Sequence, residues 1–116
     1  MRHLESNLQK SCVCWFRMQY PKIGKLFFAV PNGGARGVVE ASIMKGEGVT
    51  AGVSDCILLV GRKGFNSLCV EFKTGDGRQT ALQKEWGELT EVNGNKYVIC
   101  RSFDEFVKII TWYFEK

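Results

Sequence analysis

The apolar positions of this chain change period several times along its length. From Leu4 to Tyr20 they fall at helical spacing (Leu4, Leu8, Cys12, Trp15, Phe16), with Lys10 and Arg17 toward water, which predicts an amphipathic helix ended by Pro21 and Gly24. Leu26 to Val30 is an unbroken apolar run, the pattern of a short buried strand. Arg36 to Lys45 reads as a second, shorter helix with Val39, Ile43 and Met44 inward. Two apolar runs follow, Gly52 to Val60 and Leu68 to Lys73, joined by Gly61-Arg62-Lys63-Gly64-Phe65-Asn66-Ser67, and they predict a β-hairpin. Both runs are apolar on both faces, as in strands of a covered sheet. Thr80 to Val92 predicts a helix with Leu82, Trp86 and Leu89 inward and Gly94 as its stop. Tyr97 to Arg101 predicts a strand. Ser102, with Glu105 three residues on, predicts a capped last helix whose apolar side is Phe103, Phe106, Val107, Ile110 and Phe114. The order helix, strand, helix, two strands, helix, strand, helix is that of an α/β domain: a single mixed β-sheet flanked by helices, spanning residues 1–116 as one unit.

Composition narrows this picture in three ways. The chain has 116 residues with 45% hydrophobic and 24% charged content, ordinary for a soluble globular domain. No apolar run approaches the ~20 residues of a membrane span, and the N-terminus lacks the apolar region of a secretory signal. The five cysteines are odd in number and none forms a CxxC pair, so a reduced, cytosolic protein is expected, without a zinc site or a disulfide framework. The net charge of +4 is placed in residues 1–31, where Arg2, Lys10, Arg17, Lys22 and Lys25 face Glu5 alone. Such a segment either attracts a polyanion or is a solvated helix face. His3 is the sole histidine, which removes chemistry built on histidine pairs. The glycines at 46, 48 and 52 form no phosphate loop, since no GxxxxGK[ST] is present and no helix follows; no nucleotide cofactor is expected.

Three charges interrupt the hairpin: Asp55 at the start of its first strand, Glu71 and Lys73 at the end of its second. In an antiparallel pair these positions are neighbours, and Glu71 and Lys73 share a face while Phe72 points away. Two carboxylates beside an amine at the rim of an apolar sheet offer the oxygen ligands of a hard divalent cation, with the Phe72 carbonyl as a further oxygen. Lys73 can then orient or deprotonate a water, or meet charge growing on a phosphate. The same residues also admit a plain reading, a strand-end ion pair of Glu71 and Lys73 with Asp55 on turn amides.

Asp55 followed by Glu71-Phe72-Lys73 on a hairpin resembles the PD-(D/E)xK nuclease superfamily, and more closely its VRR-NUC domain family. The matching pieces are Glu5 in the first helix, the Pro31-Asn32-Gly33-Gly34 loop, the segment from Gly48 to Asp55, Val70-Glu71-Phe72-Lys73, and Gln83 in the following helix. One departure is Ser54, where the superfamily has a proline before the aspartate; that position shapes the turn and carries no ligand atom. The resemblance implies a restriction-endonuclease-like core and a metal-dependent DNA endonuclease. Asp55 and Glu71 would hold Mg²⁺ or Mn²⁺, with Glu5 reaching the ion directly or through water, Lys73 as the catalytic lysine, and Gln83 positioning that lysine or the phosphate. Stand-alone chains of this size resemble phage and bacterial enzymes that act on branched DNA, including four-way junctions. Paired incision needs two sites, hence a twofold homodimer, for which Trp112, Tyr113 and Phe114 are either the surface or core. Asn32, Arg36, Lys45, Arg78 and Lys84 are candidates for phosphate-backbone contacts. A flap or nicking nuclease of the same chemistry, or a non-catalytic DNA-binding module, remain alternatives.

Overall fold

The computed structural model of the chain describes residues 2–31 and 37–116. Its elements follow the expected order: α1 (Arg2–Gln19), a 3-10 turn (Gly24–Leu26), β1 (Phe27–Ala29), α2 (Val38–Gly46), β2 (Cys56–Leu58), β3 (Leu68–Phe72), α3 (Ala81–Val92), β4 (Lys96–Cys100) and α4 (Phe103–Phe114). The strands form one sheet in the order β1-β2-β3-β4. The β1/β2 and β2/β3 pairs are antiparallel, and β3/β4 is parallel, with α3 as the crossover. The mixed α/β sheet flanked by helices read from the sequence is therefore the fold.

Helices α1 and α4 pack together over one face of the sheet, and α3 packs on β4 from the other. The core lies under α1 and α4, where Cys12, Phe16, Phe27, Phe72, Phe106, Ile110 and Tyr113 are buried together. All five residues of β3 are buried, as expected for a strand with neighbours on both sides and helices above and below. The β2/β3 register pairs Cys56 with Val70, so one step further Asp55 stands opposite Glu71.

Several inward faces differ from the pattern. Leu4 is 57% exposed, because α1 first meets the core one turn later, at Leu8. Arg17, expected in water, donates to the carbonyls of Gly24 and Phe27 at 3.2 and 3.1 Å and ties α1 to the start of β1. Helix α2 buries nothing: Val39 is 72% exposed, and Val38 and Ile43 are exposed too. On α3, Leu82 and Leu89 are exposed while Gly87 is the buried residue, a Cβ there falling 3.0 Å from the Tyr97 ring. The face of α3 that meets the sheet is thus polar and small, because the part of the sheet beneath it carries Glu71.

Local signals account for the ends. Thr80 and Gln83 make a full capping box on α3, which the sequence reading passed over. Ser102 accepts the Glu105 N–H at 3.1 Å as expected, but Glu105 reaches one residue further back and accepts the Arg101 N–H at 2.9 Å. Gly52 has φ +92° and its Cα lies against the Leu82 carbonyl, a close approach that only glycine permits. That contact sets the chain entering β2, and hence Asp55, against α3.

Candidate active site

Asp55, Glu71 and Lys73 meet at one end of the sheet. Asp55 Oδ2 accepts the Phe72 N–H at 2.7 Å, which fixes the aspartate to the strand end that carries Glu71. The preceding Ser54 is fully buried and donates to the Cys56 carbonyl at 3.0 Å, bracing the turn where a proline was the familiar residue. Asp55 is anchored through its backbone too, its carbonyl accepting the Val30 N–H at 2.8 Å.

Glu71 is 2% exposed and its two oxygens have different surroundings. Oε2 accepts from Gln83 Nε2 at 3.0 Å and lies 3.8 Å from Lys73 Nζ. Oε1 is buried and has no hydrogen-bond partner. Burial pushes the Glu71 carboxyl up to about 8, the charge of Asp55 adds to the rise, and Lys73 offsets part of it. Burial raises Asp55 as well, against the lowering effects of the Phe72 N–H, of a hydrogen bond with the Glu71 carboxyl and of the charge of Lys73. Thr74 Oγ1, next along the chain from Lys73, is a second buried oxygen without a partner. A polar atom left unmet in the interior costs on the order of 1–3 kcal/mol. Here one such atom belongs to the carboxyl pair itself.

Glu5 reaches this place from α1. Its carboxyl lies close to Gly77, where Lys73 also packs, and its charge acts on Asp55. Glu5 and Asp55 line the same cleft of about 700 Å³, which runs along α1 past Ser6, Gln9 and Lys10. Among the described residues no three His, Cys, Asp or Glu side chains stand together closely enough to hold an ion. Asp55 and Glu71 thus form the inner pair, with Glu5 a step behind.

Gln83 contacts Glu71, not the lysine, and its Oε1 meanwhile accepts the Thr80 N–H at 2.9 Å. The capping box therefore sets the rotamer that delivers the amide to the carboxylate. Two further residues carry no signal in the sequence. Tyr97 receives the Gln79 amide on its hydroxyl at 3.1 Å and lies within electrostatic reach of both carboxylates. Arg101 donates to the Gly77 carbonyl at 2.8 Å and holds the loop after Lys73. Of the candidate phosphate contacts, Lys45, Arg78 and Lys84 are exposed, and Asn32 and Arg36 lie outside the described residues. Tyr113 is fully buried and donates its hydroxyl to the Val60 carbonyl at 2.6 Å, so it is core and no part of a docking surface.

The donor set suits a hard divalent cation, which takes one or two carboxylates and completes its shell with water and substrate oxygens. The unpartnered Oε1 of Glu71 is the observation that fits: it is a buried, ligand-ready oxygen beside a second carboxyl.

No family profile matches the chain, and no curated protein does. Among solved structures, the chain matches one described as a VRR_NUC domain protein, with 26% sequence identity and a TM-score of 0.83, covering 96% of this chain and 88% of that one. No helix among the described residues is long and apolar enough to cross a membrane. A likeness of this extent makes the chain similar in fold to a VRR_NUC domain protein over nearly its whole length, which supports a nuclease-type domain and the VRR-NUC resemblance of its Asp55, Glu71 and Lys73.

Proposed function

We propose that the chain is a divalent-metal-dependent endonuclease that hydrolyses phosphodiester bonds in DNA, selects its substrate by branched structure, and resolves four-way junctions as a homodimer. The observation that carries this is Glu71, a buried carboxyl with one oxygen unmet, set opposite Asp55 and beside Lys73. Asp55 and Glu71 would hold Mg²⁺ or Mn²⁺, with Glu5 acting through water and the Phe72 carbonyl as a further oxygen. When bound, the ion lowers the pKa of a water and screens phosphate charge.

The remaining work belongs to the side chains. Lys73 Nζ lies 3.8 Å from Glu71 Oε2 and is placed to meet the negative charge that gathers on the phosphate. Gln83 holds Glu71 Oε2 and so fixes the orientation of the carboxyl. Arg78, Lys84 and Lys45 offer cations for the backbone, which positions DNA without reading sequence. Symmetric cutting of a junction needs two such sites, and a twofold pair of chains supplies them.

The test is a panel of four-way, flapped and linear DNA incubated with Mg²⁺, Mn²⁺ or EDTA. Paired, symmetric incisions in the junction, abolished by EDTA, are expected. Lys73→Ala should lower the cleavage rate by about 10² or more while DNA is still bound. Cleavage of flaps alone would overturn junction resolution, and cleavage unaltered by Lys73→Ala would remove that residue from the chemistry. Sedimentation at assay concentration should show a dimer; a monomer that cuts both strands symmetrically would overturn the twofold arrangement.

A further inference from the structure

The end of the sheet opposite Asp55 and Glu71 carries a second concentration of charge. Three cations there each sit over an aromatic ring: Arg62 over Phe114 at 5.1 Å, Lys63 over Trp112 at 5.2 Å, and Lys96 over Phe65 at 5.8 Å. Such contacts occur about once per 70–80 residues, so three at one end of a small domain is a local feature and no background. The rings are themselves linked, Phe65 to Trp112 at 6.5 Å and Phe114 stacked on Tyr20 at 4.7 Å.

The turn between β2 and β3 is shaped to present these cations. Lys63 has φ +54°, the one non-glycine residue with positive φ among those described, and is followed by Gly64 at +84°. The Phe65 N–H donates back to the Arg62 carbonyl at 2.8 Å and closes the turn. Lys22 and Lys25, exposed in the chain that leaves α1, lie at the same end, since the Leu59 N–H donates to the Leu26 carbonyl at 3.0 Å. Among the described residues the ion pairs are Glu71–Lys73 and Glu91–Lys96. Among these residues, Arg62, Lys63, Lys22 and Lys25 therefore make no ion pair with a carboxylate.

We propose that this basic and aromatic end is a second DNA-binding surface, which takes the phosphate backbone of a substrate arm at a distance from the cutting site. It rests on the nuclease reading above and extends it. Arg62 is seven residues along the strand from Asp55, roughly 20 Å at the rise of a β-strand. Duplex DNA advances ~3.4 Å per base pair, so the surface meets an arm about six base pairs from the cut. Rings that already hold the guanidinium and ammonium groups in place reduce the ordering cost of that contact. Trp112, 39% exposed, adds a flat face at the same place.

Each phosphate contact contributes about 0.9 to the slope of log affinity against log salt. Binding of a junction with long arms, measured in EDTA across a salt series, should show a slope smaller by about two units in the double variant Arg62→Gln/Lys63→Gln. Lys63→Arg, which keeps the charge, should retain the wild-type slope. Wild-type protein on arms trimmed to about four base pairs should show the reduced slope without any mutation. Melting temperatures establish that the variants are folded. A folded double variant with the wild-type slope would overturn this surface and leave the ring contacts as a clamp on the C-terminal turn. Failure of the wild type to bind DNA at all would instead overturn the nuclease reading.

Discussion

A carboxyl that is 2% exposed and faces a second carboxyl resists ionising, and in Glu71 it does so until about pH 8. Unfolded, the same group releases its proton near its ordinary value of 4.5. Between those two values the folded chain keeps a proton that the unfolded chain has lost. The stabilisation is thus fully present below about pH 4.5 and is lost as pH rises toward 8, and the raised Asp55 acts in the same direction. In EDTA, the melting temperature of the wild type should fall across this window, and Glu71→Gln should flatten the fall. Parallel curves for the two proteins would place the loss elsewhere. The cysteines make a second residue-level expectation. Burial pushes Cys12, Cys56 and Cys100 up to about 12 and raises Cys69, while Cys14 is exposed. A thiol reagent at pH 8 should label Cys14 at once and the other four only after unfolding in urea; prompt labelling of two or more sites would contradict this packing.

Elements were legible in the sequence wherever an apolar pattern answered to the core. α1, β3 and α4 pack on one another, so their period reports their burial. α2 and α3 misled because the apolar residues there do not face the sheet: Val39 and Ile43 are exposed, and α3 turns Gln83 and Gly87 inward instead of Leu82 and Leu89. A helix that covers a charged site must present polar and small residues, which periodicity reads as the solvent side. Substitution separates the two situations. Gly52→Ala forces a Cβ to 2.5 Å from the Leu82 carbonyl at φ +92°, and should cost on the order of 1–3 kcal/mol. Val39→Ser, on the uncovered face of α2, should stay within about 0.5 kcal/mol. Urea melts of both variants would measure this, and a large loss for Val39→Ser would mean that α2 is covered after all.

The whole molecule is polarised along its sheet. α1 and α4 both run from the end with the carboxylates to the end with the basic turn, so each helix and its flank contribute to both: Glu5 within α1 and Tyr20 just after it, Arg101 before α4 and Trp112 within it. The sequence showed the first end, because Asp55, Glu71 and Lys73 fall on paired strands whose register alternation alone could align. It hid the second end, whose residues come from four separate segments joined only by packing.

Stability stored at the carboxylate end should be recoverable by a cation. A ligand that binds the folded chain alone adds about 2.7 kcal/mol at a hundred times its dissociation constant. For a domain of this size that raises the melting temperature by roughly 10 °C. Mn²⁺ added to the metal-free protein at pH 7.5 should therefore produce a clear upward shift. Asp55→Asn/Glu71→Gln should lose that shift while melting higher than the wild type in EDTA, since the cost of burying two ionisable carboxyls is gone. The two effects oppose each other in a way that a general loss of structure cannot imitate. Equal shifts in the wild type and the double variant would mean that the cation binds elsewhere, and Asp55 and Glu71 would then be a strand-end pair with no metal to hold.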